Sequence, residues 1–208
     1  MDVRITRVQV ATESIDALIA AFRESAVPAL RELPGYAGHS LAVNHESGDS
    51  QAATFWASRD ALDASEEAAG GIRTSTVQAG GGSVVTVDRF EIAMMERFAP
   101  PVTPSFLRVT RGVVDPGRVD ELVDAMRGEA LAIVRAIAGV RALVLGVDRS
   151  SGRFAITSVW DSAEAREASM AQIGPLRERI LPAVGVDGLE TLAYEVASVE
   201  FVGVGATA

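Results

Sequence analysis

The chain has 208 residues, 48% hydrophobic and 23% charged, enough apolar material for a packed core in one large domain or two small ones. A formal charge of −9 argues against a nucleic-acid backbone or an anionic membrane surface as partner, and no apolar run approaches the roughly 20 residues that span a bilayer. Cys is absent, which rules out disulfides and thiolate metal sites, and the opening "MDVRITRVQV" lacks a signal-peptide layout; both fit a cytoplasmic location.

In chain order, Val3–Val10 is short, β-branched and helix-poor, hence a strand. Ile15, Leu18, Ile19, Phe22, Ala26, Leu30 and Leu33 then recur at helical spacing, with Pro28 expected to kink the helix and Gly35 to stop it. Tyr36–Asn44 and Gln51–Trp56 read as a hairpin around "HESGD". Ser58 caps a second helix with Asp60 in its first turn. A looser stretch, ending in the flexible "AGGGS" of residues 79–83, leads to a strand over Val84–Met95. The linker "APPVTPS" spans residues 99–105 and is stiffened by three prolines.

The pattern then repeats. A shift of 104 residues aligns the halves without a gap: Arg4, Thr6 and Arg7 return as Arg108, Thr110 and Arg111, Gly35 as Gly139, and Trp56 and Ser58 as Trp160 and Ser162. The helical stripe returns as Val119, Leu122, Val123, Met126, Ala130, Val134 and Ile137, opened by an Asp115–Pro116 cap. Strands are expected over Leu107–Val114, Val140–Val147, Phe154–Trp160 and Leu189–Phe201, before a small-residue tail, "VGVGATA". The chain is a tandem duplication of residues 1–98 and 106–208. Each half reads β-α-β-β-α-β, so the fold class is α+β with two ferredoxin-like halves. The apolar sheet face that each half leaves open needs a cover, and the halves can supply it to each other as an intramolecular pseudo-dimer. Homo-oligomers beyond that pseudo-dimer stay open.

The segments "FWASRDAL" and "VWDSAEAR", the paired Gly35 and Gly139, and the closing "RFEI" and "AYEV" resemble the antibiotic-biosynthesis-monooxygenase-like domains of the dimeric α+β barrel superfamily. The resemblance covers both halves and implies a barrel in which they play the two subunits of a dimer. It also implies a cofactor-independent oxygenase acting on a small aromatic or polyketide-like molecule, with the Trp lining a pocket between sheet and helices. The Asn that assists in such oxygenases is replaced by Ala52 and Ile156. Haem-degrading members place an iron-ligating His on the following helix; none occurs here, and Ser65 and Ser169 stand near its place. No haem, metal or other cofactor is expected.

Candidate residues follow. His39 stands where the second half has Leu143, and as the side chain titrating near neutrality it can take a proton from a phenol. Its alternative role is a partly exposed strand histidine, or one satisfied by a core hydrogen bond. Trp56 can orient a substrate, and Arg7 can steady a developing anion. Phe22, Thr54, Arg73 and Trp160 are assigned to substrate contact. The competing roles are core closure for the tryptophans and ion pairing for the first-strand arginines. His45, Asn44 and Asp148 read as turn residues, and Glu66–Glu67 as a solvated helix face. Two distant His offer no metal cluster. A non-catalytic module that holds a small apolar ligand is the alternative function, favoured by a pocket lined solely by carbon, and a structural or assembly role with the cavity packed shut is a third.

Overall fold

The computed structural model describes residues 1–100 and 102–202, so Pro101 of the linker and nearly all of the C-terminal tail lie outside the described residues. Eight strands alternate with helices in two βαββαβ series, as the repeat requires. The first comprises β1 (Asp2–Gln9), α1 (Ile15–Ala21), α2 (Val27–Arg31), β2 (Tyr36–Val43), β3 (Asp49–Trp56), α3 (Arg59–Ala64), α4 (Glu66–Ala79) and β4 (Ser83–Arg97). The second comprises β5 (Phe106–Val113), α5 (Val119–Ala125), α6 (Leu131–Arg135), β6 (Val140–Val147), β7 (Arg153–Trp160), α7 (Ala163–Ala168), α8 (Met170–Ala183) and β8 (Asp187–Phe201).

The chain forms two compact units: residues 1–90 with the chain from Val196 onward, and residues 91–195. The long strands β4 and β8 therefore give half their length to each unit. In the first unit β3 lies antiparallel between β1 and β2, with Arg4, Thr54 and His39 in one row across the three strands. In the second, β7 lies between β5 and β6, with Arg108, Ser158 and Leu143 in the corresponding row. On the far side of β5, the first half of β8 pairs antiparallel, Arg108 opposite Ala193. Each unit has its own core, built on Leu18, Phe22, Leu41 and Trp56 in one and on Leu122, Met126, Leu143 and Trp160 in the other. The alternate residues of the first strands, Val3, Ile5, Leu107 and Val109, are buried as well.

The first helix of each half changes register rather than simply bending. A π turn at Phe22–Ala26 separates α1 from α2, and its twin at Met126–Ala130 separates α5 from α6. Pro28 lies just past the first π turn, but its twin position is Ala132, so the register change does not need the proline. The expectation of a loose stretch after the second helix is corrected. It is a 14-residue helix in both halves, α4 and α8, despite Gly70–Gly71 in one and Pro175 and Pro182 in the other. Tertiary burial of one face, Ala69 and Val77 in α4 and Ile173 and Leu176 in α8, overrides the weak local propensity.

Local signals were otherwise followed closely. Ser58 and Ser162 accept from the backbone N–H of Ala61 and Ala165 at 3.2 and 3.0 Å, capping α3 and α7. Asn44 and Asp148 accept backbone N–H groups inside their hairpin turns. Burial opposes ionisation of Asp148, but hydrogen bonds from Ser150 and Ser151 outweigh it and hold its pKa at about 2. Gly35 and Gly139 adopt φ of 78° and 83°, and a Cβ on either would sit about 2.5 Å from the Ala61 Cβ or 2.6 Å from the Ala165 Cβ. Gly35→Ala is therefore expected to lower stability by about 1–3 kcal/mol, read as the urea midpoint. Gly71→Ala, where a Cβ meets nothing, is expected to raise it by about 0.5–1 kcal/mol.

Candidate functional site

Strand alternation decides which first-strand side chains face the helices. Arg4, Thr6 and Val8 do, and they line a cavity of about 50 Å³ with Leu41 and Ala52 from the sheet and Phe22 from the π turn. Thr54, Ala69 and Arg73 also reach it. The second unit holds a cavity of the same size at the position set by the 104-residue shift, with Arg108, Thr110, Met126, Ile156, Ser158 and Arg177 in the equivalent places. Most of either wall is carbon. A water needs roughly 10–15 Å³ of such space, so each cavity has room for a molecule of a few heavy atoms.

Arg4 is the best-held group of the first cavity. It is 2% exposed, and its guanidinium donates to the Leu62 carbonyl at 2.7 Å and to Ser65 Oγ at 3.1 and 3.2 Å, where α3 passes into α4. It also lies 5.4 Å from the Trp56 ring centre. Glu66 approaches Arg4 and Arg89 at 2.8 Å and Arg73 at 3.3 Å. Burial lowers the Arg4 pKa, and the Glu66 charge partly restores it. Burial would push the Glu66 carboxyl up, but Arg4, with hydrogen bonds from Arg89 and Arg73, keeps it below the usual carboxylate range. The reading of Glu66 as a solvated face is thus corrected: it is the counter-ion of three arginines.

The second unit repeats the arginine without its counter-ion. Arg108 is 5% exposed, donates to Ser169 Oγ at 2.6 Å and to the Arg166 carbonyl, and lies 5.8 Å from the Trp160 ring. Ser65 and Ser169 are therefore the hydroxyls that hold a buried arginine.

The structure separates the other sequence-derived candidates. Phe22, Thr54 and Arg73 line the first cavity. Arg7 points to the opposite sheet face, where it pairs with Asp49 at 2.8 Å. Trp56 and Trp160 are fully buried beside the cavities rather than on their walls, and their indole N–H groups donate to Thr54 Oγ1 at 3.2 Å and Ser158 Oγ at 2.9 Å. Arg4 is the residue that sequence reasoning passed over. The signal that finds it is the alternation of β1, which gives Arg4 and Arg7 opposite faces.

His39 is 2% exposed and is not on the cavity wall; its ring centre lies 5.2 Å from that of Phe22, which is. Its Nδ1 is 2.7 Å from the Tyr36 hydroxyl and its Nε2 2.9 Å from Ser198 Oγ, which satisfies both ring nitrogens of a neutral imidazole. Burial lowers its pKa, opposed by the Glu200 charge and reinforced by Arg31; burial also pushes Tyr36 up to about 12. Under the repeat shift, Tyr36, His39 and Ser198 become Val140, Leu143 and Met94, so the second half is apolar at all three positions. Among the described residues no group of His, Asp or Glu is gathered as for a metal ion. No described helix is long and apolar enough to cross a membrane.

No family model matches the chain. It is 31% identical over 194 residues to the uncharacterized protein Rv2557 of Mycobacterium tuberculosis, covering 93% of this chain and 86% of that protein. Among solved structures, an anthrone oxidase-like protein superposes with a TM-score of 0.68 at 18% identity, covering 97% of this chain and 94% of that one. A ferredoxin-fold protein of Listeria monocytogenes, described as related to antibiotic biosynthesis monooxygenases, gives 0.52 at 10% identity over 94% and 95%. The fold is thus the antibiotic-biosynthesis-monooxygenase-like one.

The His39 cluster makes a stability prediction. Above the ordinary histidine pKa of 6.5, His39 is neutral in both the folded and the unfolded chain. As pH falls below that value the unfolded chain gains its proton first, so the fold loses stability until the lower folded-state pKa is passed. His39→Leu is expected to flatten this slope in denaturation curves between pH 7 and 5. At pH 7 it is expected to cost about 1–3 kcal/mol, because two hydroxyls lose their partner. The triple change Y36V/H39L/S198M, which copies the second half, is expected to recover most of that loss.

Proposed function

This chain belongs to the family of the mycobacterial protein Rv2557, and we propose that its sheet–helix cavities bind a small, largely apolar molecule. The observation that carries this reading is the duplicated cavity itself. The same wall positions stay open in both units although the side chains differ, Phe22 against Met126 and Ala52 against Ile156. A purely structural core would be expected to close at least one of two diverging copies, because an empty apolar space costs stability. The partner is a small, largely apolar molecule of a few heavy atoms.

Cofactor-independent oxygenation of an aromatic or polyketide-like substrate is the second reading. In it, His39 takes a phenolic proton, Trp56 orients the anion, and the anion gives two electrons to oxygen to form a hydroperoxide that loses water and leaves a carbonyl. One observation favours it: a neutral imidazole, able to act as a base, lies beside Phe22 of the cavity wall. Size and placement weigh the other way. An apolar cavity that takes benzene measures ~150 Å³, about three times the space present, and His39 is not on the cavity wall. Arg7 would also have to act from the far face of the sheet.

Two measurements separate the readings. Saturable ¹²⁹Xe binding by the purified protein, weakened when Ala69→Leu fills the first cavity, is the result expected of an apolar site. Oxygen uptake with a phenolic anthrone is expected to be equal for the native protein and the His39→Ala variant. Uptake that depends on His39 would hand the function to the oxygenase reading, and no xenon binding at all would refute the binding one.

A further inference from the structure

The two cavities share their arginines but differ in charge. In the first, Arg4 and Arg73 both have Glu66 beside them, at 2.8 and 3.3 Å, and Arg89 shares the same carboxylate. In the second, the shift of 104 residues places Met170 where Glu66 stands and Ala193 where Arg89 stands, while Arg108 and Arg177 remain. Among the described residues neither Arg108 nor Arg177 has a carboxylate in ion-pair contact. The acid whose charge acts on Arg108 is Glu167, which pairs with Arg166 at 2.9 Å and has a side chain 64% exposed. Both arginines line the cavity, with Thr110 and Ser158 as the hydroxyls beside them and Leu143, Ile156 and Ile180 on the apolar wall.

A desolvated cation, Arg108, and a half-buried one, Arg177, on the wall of one cavity are costly without an anion, and the cost falls when an anion enters with hydrogen-bonding geometry. Burial lowers the pKa of both Arg108 and Arg177, and for Arg108 the neighbouring Arg166 and Arg177 charges lower it further against the pull of Glu167. Arg108 bonds to Ser169 and the Arg166 carbonyl, and Arg177 donates to Thr191 Oγ1 at 2.9 Å. Each guanidinium carries five N–H donors, so both retain donors for a ligand. The rest of the wall is apolar and the space about 50 Å³, which suits a short aliphatic tail.

We propose that the cavity of the second unit is a site for a small aliphatic carboxylate, held by Arg108 and Arg177, whereas Glu66 fills that electrostatic role internally in the first unit. The proposal rests on the small-molecule reading of the cavities and adds the charge of the ligand and the unit that takes it. One copy carries a built-in counter-ion, and the other leaves the position to a solute.

The test is an NMR titration of the full chain at constant ionic strength, with butyrate and its neutral isostere butyramide. The methyl groups of Ile156, Ile173 and Ile180 report on the second cavity and Ile72 on the first. Butyrate is expected to shift the second-unit methyls with a Kd at least tenfold below that of butyramide. Met170→Glu, an exposed position that reinstates the carboxylate of the first unit, is expected to weaken butyrate at least tenfold, and Arg177→Gln to weaken it as well. Equal affinity for the two probes, or butyrate binding unchanged by Met170→Glu, would overturn the carboxylate assignment. If butyramide still shifts either set of methyls in that case, the small-molecule reading survives. If neither probe shifts any of them and xenon does not bind, both fall together.

Discussion

A guanidinium buried between a sheet and the junction of two helices is the interaction on which each half depends. Arg4 and Arg108 leave the first strand of their half, cross under the Trp of the third, and hydrogen bond at the point where one helix ends and the next begins. The bonds to a carbonyl and to Ser65 or Ser169 fix that junction against the sheet. Because the guanidinium is desolvated, it also has to meet hydrogen-bond acceptors or an anion, and this need shapes the wall around it. Arginine suits the task better than lysine, since its planar fork can serve a hydroxyl, a carbonyl and a carboxylate together while lying on an aromatic ring.

Duplication separates what the scaffold needs from what each copy does with it. The arginine, its serine, the Trp and the capping serine recur at an unbroken spacing of 104 residues. The groups around them have diverged in two places. In the first unit a carboxylate joins the arginines and a Tyr–His–Ser cluster lies beside Phe22. In the second unit both sets are apolar, with Met170 for the carboxylate and Val140, Leu143 and Met94 for the cluster. Polar groups in a core are replaced together or not at all, because a half-satisfied network costs more than either full state. The three positions, drawn from two strands distant in sequence, are all polar in one unit and all apolar in the other, as that cost favours.

The fold was legible in the sequence to a residue or two at most strand ends, because a gap-free repeat shows each element twice and turns, caps and glycine stops recur in register. The helices α4 and α8 were not legible: glycines and prolines weaken their local propensity, and what holds them is burial of one face against the sheet. The candidate site was only partly legible. Phe22, Thr54 and Arg73 reach the cavity, but choosing Arg7 over Arg4 requires knowing which face of β1 the helices cover. Glu66 could not be recognised as a counter-ion from its neighbour Glu67, since its partners come from β1, α4 and β4. The tryptophans looked like substrate platforms, yet their indole N–H groups are spent on the hydroxyls two residues before them.

Two arginines in equivalent clamps are balanced differently, Arg4 by Glu66 within the fold and Arg108 by a solute. Nitrogen-15 NMR of the arginine side chains reads this directly. The account predicts two guanidinium groups whose N–H protons exchange slowly with water, assigned to Arg4 and Arg108, of which only Arg108 moves when butyrate is added. Fast exchange at both, or equal movement of both signals, would contradict it.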